Sequence, residues 1–345
     1  MSAHRAPERH RLVKVFITVD TEIWPDAASW PHTPLGRDQA CAKETSWYFY
    51  GGAGSAARGL PYQLATLSAA GLKATYFVDP LFSFALGLKP LAEVIALIRE
   101  HGQEVGLHLH PEWLTDPRCP PLPAFAGPQL HAYRQADQET LIRVGRDRLV
   151  EAGAAPPSAF RAGNWGASLD TLRALKRCGI PYDSSLNARF ASSFTEIDGA
   201  TRDGTTQPVE IEGVWEFPVT QFIDRQPDRL RPLHVCAASL SEFRAVLEHA
   251  AAHGWFAVVI VLHSFEFVRI DRLAAGKDAA SQKLLAGRFE RLCDYLTSHA
   301  DRFETCHFAD IDRTGLSAAT QAPLLASSRP RTAWRQLEQL VSRIY

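Results

Sequence analysis

Short apolar runs rich in β-branched residues alternate along most of the chain with longer stretches in which apolar residues recur at helical spacing. Val13–Val19 predicts a buried strand, and Phe256–Leu262 is the most apolar of these runs. Further strands are predicted at Ala74–Val78, Glu104–Leu109, Ser158–Arg161, Ile180–Tyr182, Val214–Val219 and Phe303–Phe308. Strands that are apolar along their whole length are buried on both faces, which is typical of a parallel sheet flanked by helices.

Helices are predicted between these strands, and glycines mark several of their ends. The helix over Leu60–Ala70 is followed by Gly71, and the helix over Ser168–Cys178 is followed by Gly179. Further helices are predicted from Pro90 through Ile98 and over about 135–153, 239–253, 281–299 and 334–345. The seven or eight strand–helix alternations predict an α/β fold, a distorted (β/α) barrel with about seven strands, rather than an open doubly wound sheet.

Two stretches interrupt this alternation. Trp24–Gly59 is rich in glycine, proline, serine and aromatic residues, and Asn187–Glu212 is polar. Loops of this length are uncommon unless they cover a site or are disordered. The aromatic residues of the first stretch could stack on the rings of a ligand or form a lid packed on the barrel. We therefore expect an N-terminal extension (1–12), a single barrel domain with a long loop after its first strand (13–312) and a helical C-terminal tail (313–345).

Composition narrows the range of partners. A net charge of −1 without a basic run gives no reason to expect nucleic acid or an anionic membrane as partner. No apolar run approaches the roughly 20 residues that cross a bilayer, and the polar N-terminus lacks the apolar region of a secretory signal. The six cysteines are scattered without a Cys-x-x-Cys pair, so free thiols and a cytoplasmic location are expected. The pattern does not indicate an oligomeric state.

Reactive side chains stand at or just after the C-terminal ends of the predicted strands. They are Asp20 and Glu22 after the first strand, His108 and His110 at the end of the third, and Arg161, Asp183 and His263 at later strands. The C-terminal ends of barrel strands meet at one mouth, where active sites of this architecture are built. This convergence predicts a catalytic site.

The two histidines and the two acids each share a face of their strand because each pair is two residues apart. His108 and His110 could bind one zinc ion with a carboxylate as third ligand and an open position for water, or they could simply be polar residues at a strand end. Of Asp20 and Glu22, one would be the ligand and the other a base, unless the segment is a solvated acidic turn.

Arg161 is either a surface arginine or the partner that keeps the basic carboxylate ionised. His263 ends a strand too apolar to face solvent, so it is a buried core histidine or a site residue. His234 falls in a loop and is expected at the surface.

Several segments together resemble motifs of a known family. Glu104–His108 is similar to the segment that leads into a first metal histidine, Phe160–Gly166 to an Arg-x-Pro-aromatic-Gly motif that Gly179–Ser185 follows, and Val261–His263 to a final motif. The family is the polysaccharide deacetylases, of the carbohydrate esterase family four type, and the resemblance runs from about residue 13 to about residue 308.

The resemblance implies removal of an N-acetyl group from a sugar or glycan intermediate, with one divalent metal ion, expected to be zinc. It implies Asp20 as general base, Arg161 as its partner, His263 as general acid, Asp183 as a support residue, Glu22, His108 and His110 as metal ligands, and Asn164, Trp165 and Leu262 around the substrate, with Leu262 against the acyl methyl group. A carbohydrate or sugar-derived small molecule is thus the expected partner.

The chain departs from the family pattern at three places. Thr21 stands where the family has a second aspartate, and Glu22, which follows it, would then be the metal carboxylate. The second histidine, His110, follows the first by two positions instead of four, and Gly163 and Asn164 replace the usual proline region.

Three other functions fit parts of the pattern. A metal-independent glycosidase would pair Asp20 with Glu212 or Glu216 as its two carboxyl groups. An amidohydrolase could act on a C–N bond outside sugars. The missing second aspartate would also suit a glycan-binding protein with a degraded site.

Overall fold

The strands form one curled sheet and one small hairpin. The structure is a computed structural model that describes residues 12–23, 45–52, 58–116, 118–119, 122–190, 197, 205–225, 229–269, 281–313, 316 and 323–344. The strands are β1 (Val13–Thr21), β2 (Ala74–Val78), β3 (Glu104–Leu109), β4 (Ala159–Ala162), β5 (Tyr182–Asp183), β6 (Val209–Ile211), β7 (Val214–Glu216), β8 (Gln221–Ile223), β9 (Leu230–Pro232), β10 (Ala257–His263) and β11 (Phe303–Thr305). The helices are α1 (Leu60–Ala70), α2 (Phe82–Leu86), α3 (Leu88–Glu100), α4 (Gln135–Glu151), α5 (Leu169–Arg177), α6 (Leu240–Ala252), α7 (Lys283–Ser298) and α8 (Arg329–Ile344).

The large sheet has the order β10-β1-β2-β3-β4-β5-β7-β6, with β11 added beside the first residues of β1. Every pairing in it is parallel except that of β6 with β7. The sheet curls into a distorted (β/α) barrel, which confirms the predicted fold class. Because β1 pairs in register with β10, Asp20 lies directly opposite His263.

The alternation of side chains along β1 divides the interior into two parts. Val15, Ile17 and Val19 belong to the larger hydrophobic cluster, to which the flanking helices also contribute. Phe16 points to the other face, where its ring lies 4.7 Å from that of Phe308 within a second cluster. Four residues further on the same face comes Asp20, so this aromatic cluster lies below the polar residues at the strand ends.

The structure differs from the predicted elements mainly in short segments. The described end of the predicted loop Asn187–Glu212 contains β6, and the hairpin of β8 and β9 was not predicted. Strands of three residues are too short to show a period of two, so the sequence gives little signal for them. The tail helix α8 also begins five residues earlier than predicted, at Arg329.

Most of the Trp24–Gly59 stretch lies outside the described residues. Its described part contains the helical turn Ser46–Tyr50, in which Tyr48 and Phe49 are buried. The Phe49 ring lies 5.4 Å from that of Phe82 at the start of α2, so this part of the stretch packs on the barrel.

Ion pairs attach the C-terminal helix to the barrel. Arg335 of α8 is 2% exposed and donates to Asp224 at 2.7 Å and to Glu242 at 3.1 Å. Glu242 also closes the capping box of α6 with Ser239. The tail is therefore part of the folded domain rather than a separate appendage.

The described residues also bear on the predictions about the cysteines and about membrane-spanning segments. The cysteines among them are free thiols. No helix within the described ranges is both long and apolar enough to cross a membrane.

Candidate active site

A cavity of about 260 Å³ opens where the strands end. Seven of the ten site residues expected from the sequence line it, together with Ala162 and Phe190. The seven are Asp20, Glu22, His108, His110, Asn164, Trp165 and His263. The convergence predicted from the strand ends is therefore found in the structure.

Glu22, His108 and His110 form a buried cluster with their ligating atoms within 4.8 Å of one another. Both histidines turn Nε2 toward the same carboxylate oxygen of Glu22, Oε2, with His108 at 2.9 Å. Burial by itself would raise the pKa of Glu22, but the adjacent imidazoles of His110 and His108 hold it well below its usual range. The cluster thus offers an anionic oxygen and two ring nitrogens at one point, a donor set that suits zinc.

The other ring nitrogen of each histidine is held by a neighbour. His108 donates from Nδ1 to the backbone carbonyl of Arg161 at 2.7 Å, which fixes Nε2 as the ring nitrogen that faces Glu22. His110 Nδ1 lies 3.3 Å from Oε2 of Glu112, in the turn that follows β3. Such outer partners orient histidine ligands in metal sites.

The loop after β4 leaves room for the His110 ring beside Glu22, because it begins with Gly163. A Cβ atom at Gly163 would lie 2.9 Å from two ring carbons of His110 and 2.5 Å from a backbone oxygen, so a side chain there would displace the imidazole. The next two residues, Asn164 and Trp165, have positive φ angles of 52° and 58°, which non-glycine residues rarely adopt. Asn164 is held by donating to Oε1 of Glu112 at 2.5 Å.

Asp20 lies on the same edge of the cavity as Glu22 and pairs with a buried arginine. Arg161 donates from Nη1 to Asp20 at 2.7 Å, and its other nitrogens donate to the carbonyl and hydroxyl of Ser184, each at 3.0 Å. The guanidinium also lies over the ring of Phe77, 4.5 Å from its centroid. Arg161 is therefore a fixed interior residue, and its surface alternative is wrong.

His263 also lines the cavity, at the end of β10 beside Asp20. Its Nδ1 donates to Glu266 at 3.1 Å, and its Nε2 lies 3.8 Å from Glu22. Burial lowers the pKa of His263, but the hydrogen bond and charge of Glu266, together with the charges of Glu22 and Asp20, outweigh this effect and raise it to about 9. His263 is therefore mainly protonated near neutral pH.

Two expected site residues lie away from the cavity. Asp183 is buried on β5 opposite Glu216 of β7, accepts a hydrogen bond from Ser185, and interacts with the Glu216 carboxyl group. Leu262 is fully buried in the larger hydrophobic cluster, because alternation along β10 turns it to the opposite face from His263. A role for either in catalysis remains a prediction.

The structure also adds residues that the sequence did not single out. Glu112 and Glu266 contact site histidines, and His234, expected at the surface, is 9% exposed with Nε2 3.3 Å from His263. Asp79 is fully buried immediately after β2, where the desolvation of its carboxyl group raises the pKa to about 7. Asp79 stands directly after a predicted strand, so the strand-end argument that selected Asp20 would also have selected Asp79. Glu112, Glu266 and His234 lie in loops and turns beyond the strands, where that argument does not apply.

No family model and no curated protein matches the sequence. Among solved structures, a Mycobacterium smegmatis protein assigned as a polysaccharide deacetylase is similar over 94% of this chain and 99% of its own, with a TM-score of 0.56 and 16% identity. A family 4 carbohydrate esterase from Streptomyces lividans, in complex with acetate, has a TM-score of 0.39 and 12% identity over 86% and 92% of the chains. A 4-alpha-glucanotransferase from Thermococcus litoralis has a TM-score of 0.46 and 10% identity over 87% of this chain and 38% of its own. The match to the mycobacterial protein spans nearly all of both chains, and this chain has the fold of the polysaccharide deacetylases.

Proposed function

We propose that this protein is a metal-dependent hydrolase that removes an N-acetyl group from a sugar or glycan intermediate. The observation that carries the proposal is the arrangement around one cavity. A buried carboxylate–histidine–histidine cluster lines it together with an arginine-paired aspartate and a glutamate-paired histidine. The similarity of the fold to deacetylases supports the same class of reaction.

The residues present fit a divalent metal ion. Glu22, His108 and His110 would hold it, since their donor atoms already meet at one carboxylate oxygen and the carbonyl of Arg161 sets the tautomer of His108. Zinc is the ion that this set of one oxygen and two nitrogens suits best. A divalent ion here would supply Lewis acidity, which lowers the pKa of water and polarises an amide carbonyl.

Asp20 would accept the proton of the attacking water. Its carboxylate lines the cavity while Arg161 fixes its orientation, and Ser184 in turn fixes the guanidinium. A base needs a fixed lone pair within reach of the proton that it removes. Asp20 supplies the lone pair, and Arg161 supplies its orientation.

His263 would donate a proton to the departing amine from Nε2, the nitrogen that lies toward Glu22. Glu266 holds the opposite nitrogen and stabilises the imidazolium form. An acid of this kind assists the step because an amide nitrogen leaves poorly as an anion. Asp20 and His263 would thus act from the ends of two adjacent strands.

The walls of the cavity suit a sugar ring. Trp165 and Phe190 present aromatic surface beside polar groups, as ligand pockets commonly do. A carbohydrate or sugar-derived small molecule is the proposed partner, and a cytoplasmic location is proposed with it.

The experiment combines metal analysis with an acetate-release screen on N-acetylated sugars, sugar nucleotides and glycans. We expect about one ion per chain at limiting zinc, loss of activity with a chelator, and recovery when zinc is returned. Glu22→Gln should lose both the ion and the activity, whereas Glu93→Gln, at a 53% exposed side chain on α3, should keep both.

The same experiment separates the rival functions. A glycosidase would cleave glycans without metal, although Glu212 is at the surface with Arg173, Glu216 is buried beside Asp183, and neither lines the cavity with Asp20. Activity confined to amides outside sugars, or glycan binding without acetate release, would overturn the proposed substrate or the proposed catalysis.

A further inference from the structure

A second group of metal-ligating side chains lies beside the first and shares none of its residues. His263 Nδ1 is 3.1 Å from Glu266 Oε2 and 3.3 Å from His234 Nε2, and the last two atoms are 3.5 Å apart. Three donor atoms from two separate segments of the chain therefore form a nearly equilateral triangle.

The dimensions of this triangle fit a tetrahedral ion. Zinc bonds of about 2.0–2.1 Å at tetrahedral angles place neighbouring donor atoms roughly 3.3–3.4 Å apart. The rings of His234 and His263 have centroids 5.1 Å apart at 65°, close to the 4.9 Å and 75° of His108 and His110. The two histidine pairs thus have nearly the same geometry, and each is completed by one glutamate.

The structure also holds these side chains in place. Nδ1 of His234 lies 2.6 Å from Sγ of Cys236, and donation of Nδ1–H to the sulfur leaves the Nε2 lone pair directed at the triangle. The backbone of His234 bridges to Val261 of β10, and the amide of His263 donates to Glu266 at 3.0 Å. His234 and Glu266 are each only 9% exposed, so little rearrangement is needed to bind an ion.

We propose that His234 Nε2, His263 Nδ1 and Glu266 Oε2 form a second zinc site whose occupation inhibits the enzyme. An ion at this position would use the nitrogen of His263 that otherwise donates to Glu266. The imidazole would then be a metal ligand and no longer an imidazolium that can release a proton to the leaving group. The inhibitory effect rests on the proposed function, whereas the binding of the ion does not.

Metal counting tests the site without reference to activity. The full chain is stripped with a chelator, dialysed against graded ZnCl₂, and analysed for zinc per chain, with circular dichroism as the check of folding. We expect two ions in the wild type, one in Glu22→Gln, one in His234→Gln and none in the double variant. Glu266→Gln serves as the second variant if His234→Gln does not fold.

Zinc counts that differ from these expectations would show which of the two proposed sites fails. A wild type that binds one ion, or a His234→Gln variant that keeps the wild-type count, overturns the second site and leaves the triangle as a hydrogen-bonded group that orients His263. If His234→Gln loses an ion but Glu22→Gln does not, the second site stands and the proposed catalytic metal site fails.

The inhibitory effect has its own measurement. Acetate release by the wild type should fall as zinc is added beyond one equivalent, and His234→Gln, which lacks one of the three proposed ligands, should lose little of its own activity over the same zinc range. Identical inhibition curves for the two proteins would show that the second ion does not act through His263.

Discussion

Nη1 of Arg161 donates to Oδ1 of Asp20 across 2.7 Å, and neither side chain is more than 5% exposed. A buried charge pair of this kind is costly to break, because removal of one partner leaves the other charged and unpaired. The pair joins the ends of β1 and β4, two strands that are separated by β2 and β3 in the sheet. It therefore holds a carboxylate at the edge of the cavity in one orientation.

The first prediction concerns Asp20→Asn. Asparagine keeps the size of the side chain and an oxygen for Arg161, but it cannot accept a proton. We expect turnover in the acetate-release assay to fall by about a hundredfold or more, with zinc content unchanged. Asp170→Asn, at a 43% exposed side chain on α5, is the control. Turnover near the wild-type value in Asp20→Asn would refute its role as base.

The second prediction concerns Glu112→Gln. Glu112 contacts His110 Nδ1 at 3.3 Å and accepts from Asn164 at 2.5 Å, so its charge and both oxygens are used. We expect zinc affinity to fall by about 10–100-fold, because outer partners of histidine ligands contribute this much. Competition with a chromogenic chelator measures the change. An affinity equal to that of Glu93→Gln would mean that Glu112 does not support the metal ligand.

The third prediction concerns the buried pair of Asp183 and Glu216. Burial, followed by the charge and hydrogen bond of Asp183, raises the pKa of Glu216 well above its ordinary value. The folded protein therefore holds this proton more tightly than the unfolded chain. The resulting stabilisation is complete below about pH 4.5 and is lost as the pH rises toward the folded-state pKa.

Glu216→Gln keeps a neutral side chain at every pH, so its free energy of unfolding should decline less than that of the wild type between about pH 4.5 and 8. Urea unfolding at a series of pH values measures the two curves. Parallel curves would show that Glu216 does not retain a proton in the fold.

The fourth prediction concerns Arg335→Ala. This change leaves the carboxylates of Asp224 and Glu242 buried without the guanidinium. We expect the free energy of unfolding to fall by about 3 kcal/mol, at the low end for a broken buried pair, because Asp224 keeps Arg231 at 2.7 Å. Gln336→Ala, at an exposed position of the same helix, should change it by less than about 0.5 kcal/mol. Equal urea midpoints for the two variants would contradict the prediction.

The arrangement of the strands could be predicted because the long ones are strongly apolar. β2 and β3 have the predicted bounds, and the residues at the ends of β1, β3 and β10 meet as the barrel rule requires. The place of Leu262 beside the substrate was implied by the family resemblance instead, and Leu262 and His263 are neighbours that point to opposite sides of β10.

The partners of the site residues could not be predicted in this way. Glu112 lies in a short helical turn, and His234 and Glu266 lie beyond the ends of strands, where no periodic pattern relates sequence position to direction. Their contacts depend on how separate loops meet. His234 and His263, for example, are in contact although they are 29 positions apart in the sequence. Such contacts are set by tertiary packing rather than by local sequence.

The ion pairs of Arg335 have a consequence for synthesis of the chain. Arg335 is made 111 residues after Asp224 and 93 residues after Glu242, yet it contributes to balancing both charges, that of Asp224 together with Arg231. A nascent chain that still has its last helix inside the ribosomal tunnel would have to leave these two carboxylates hydrated and the surrounding surface open. The domain can therefore close around these two carboxylates only once α8 has left the ribosome.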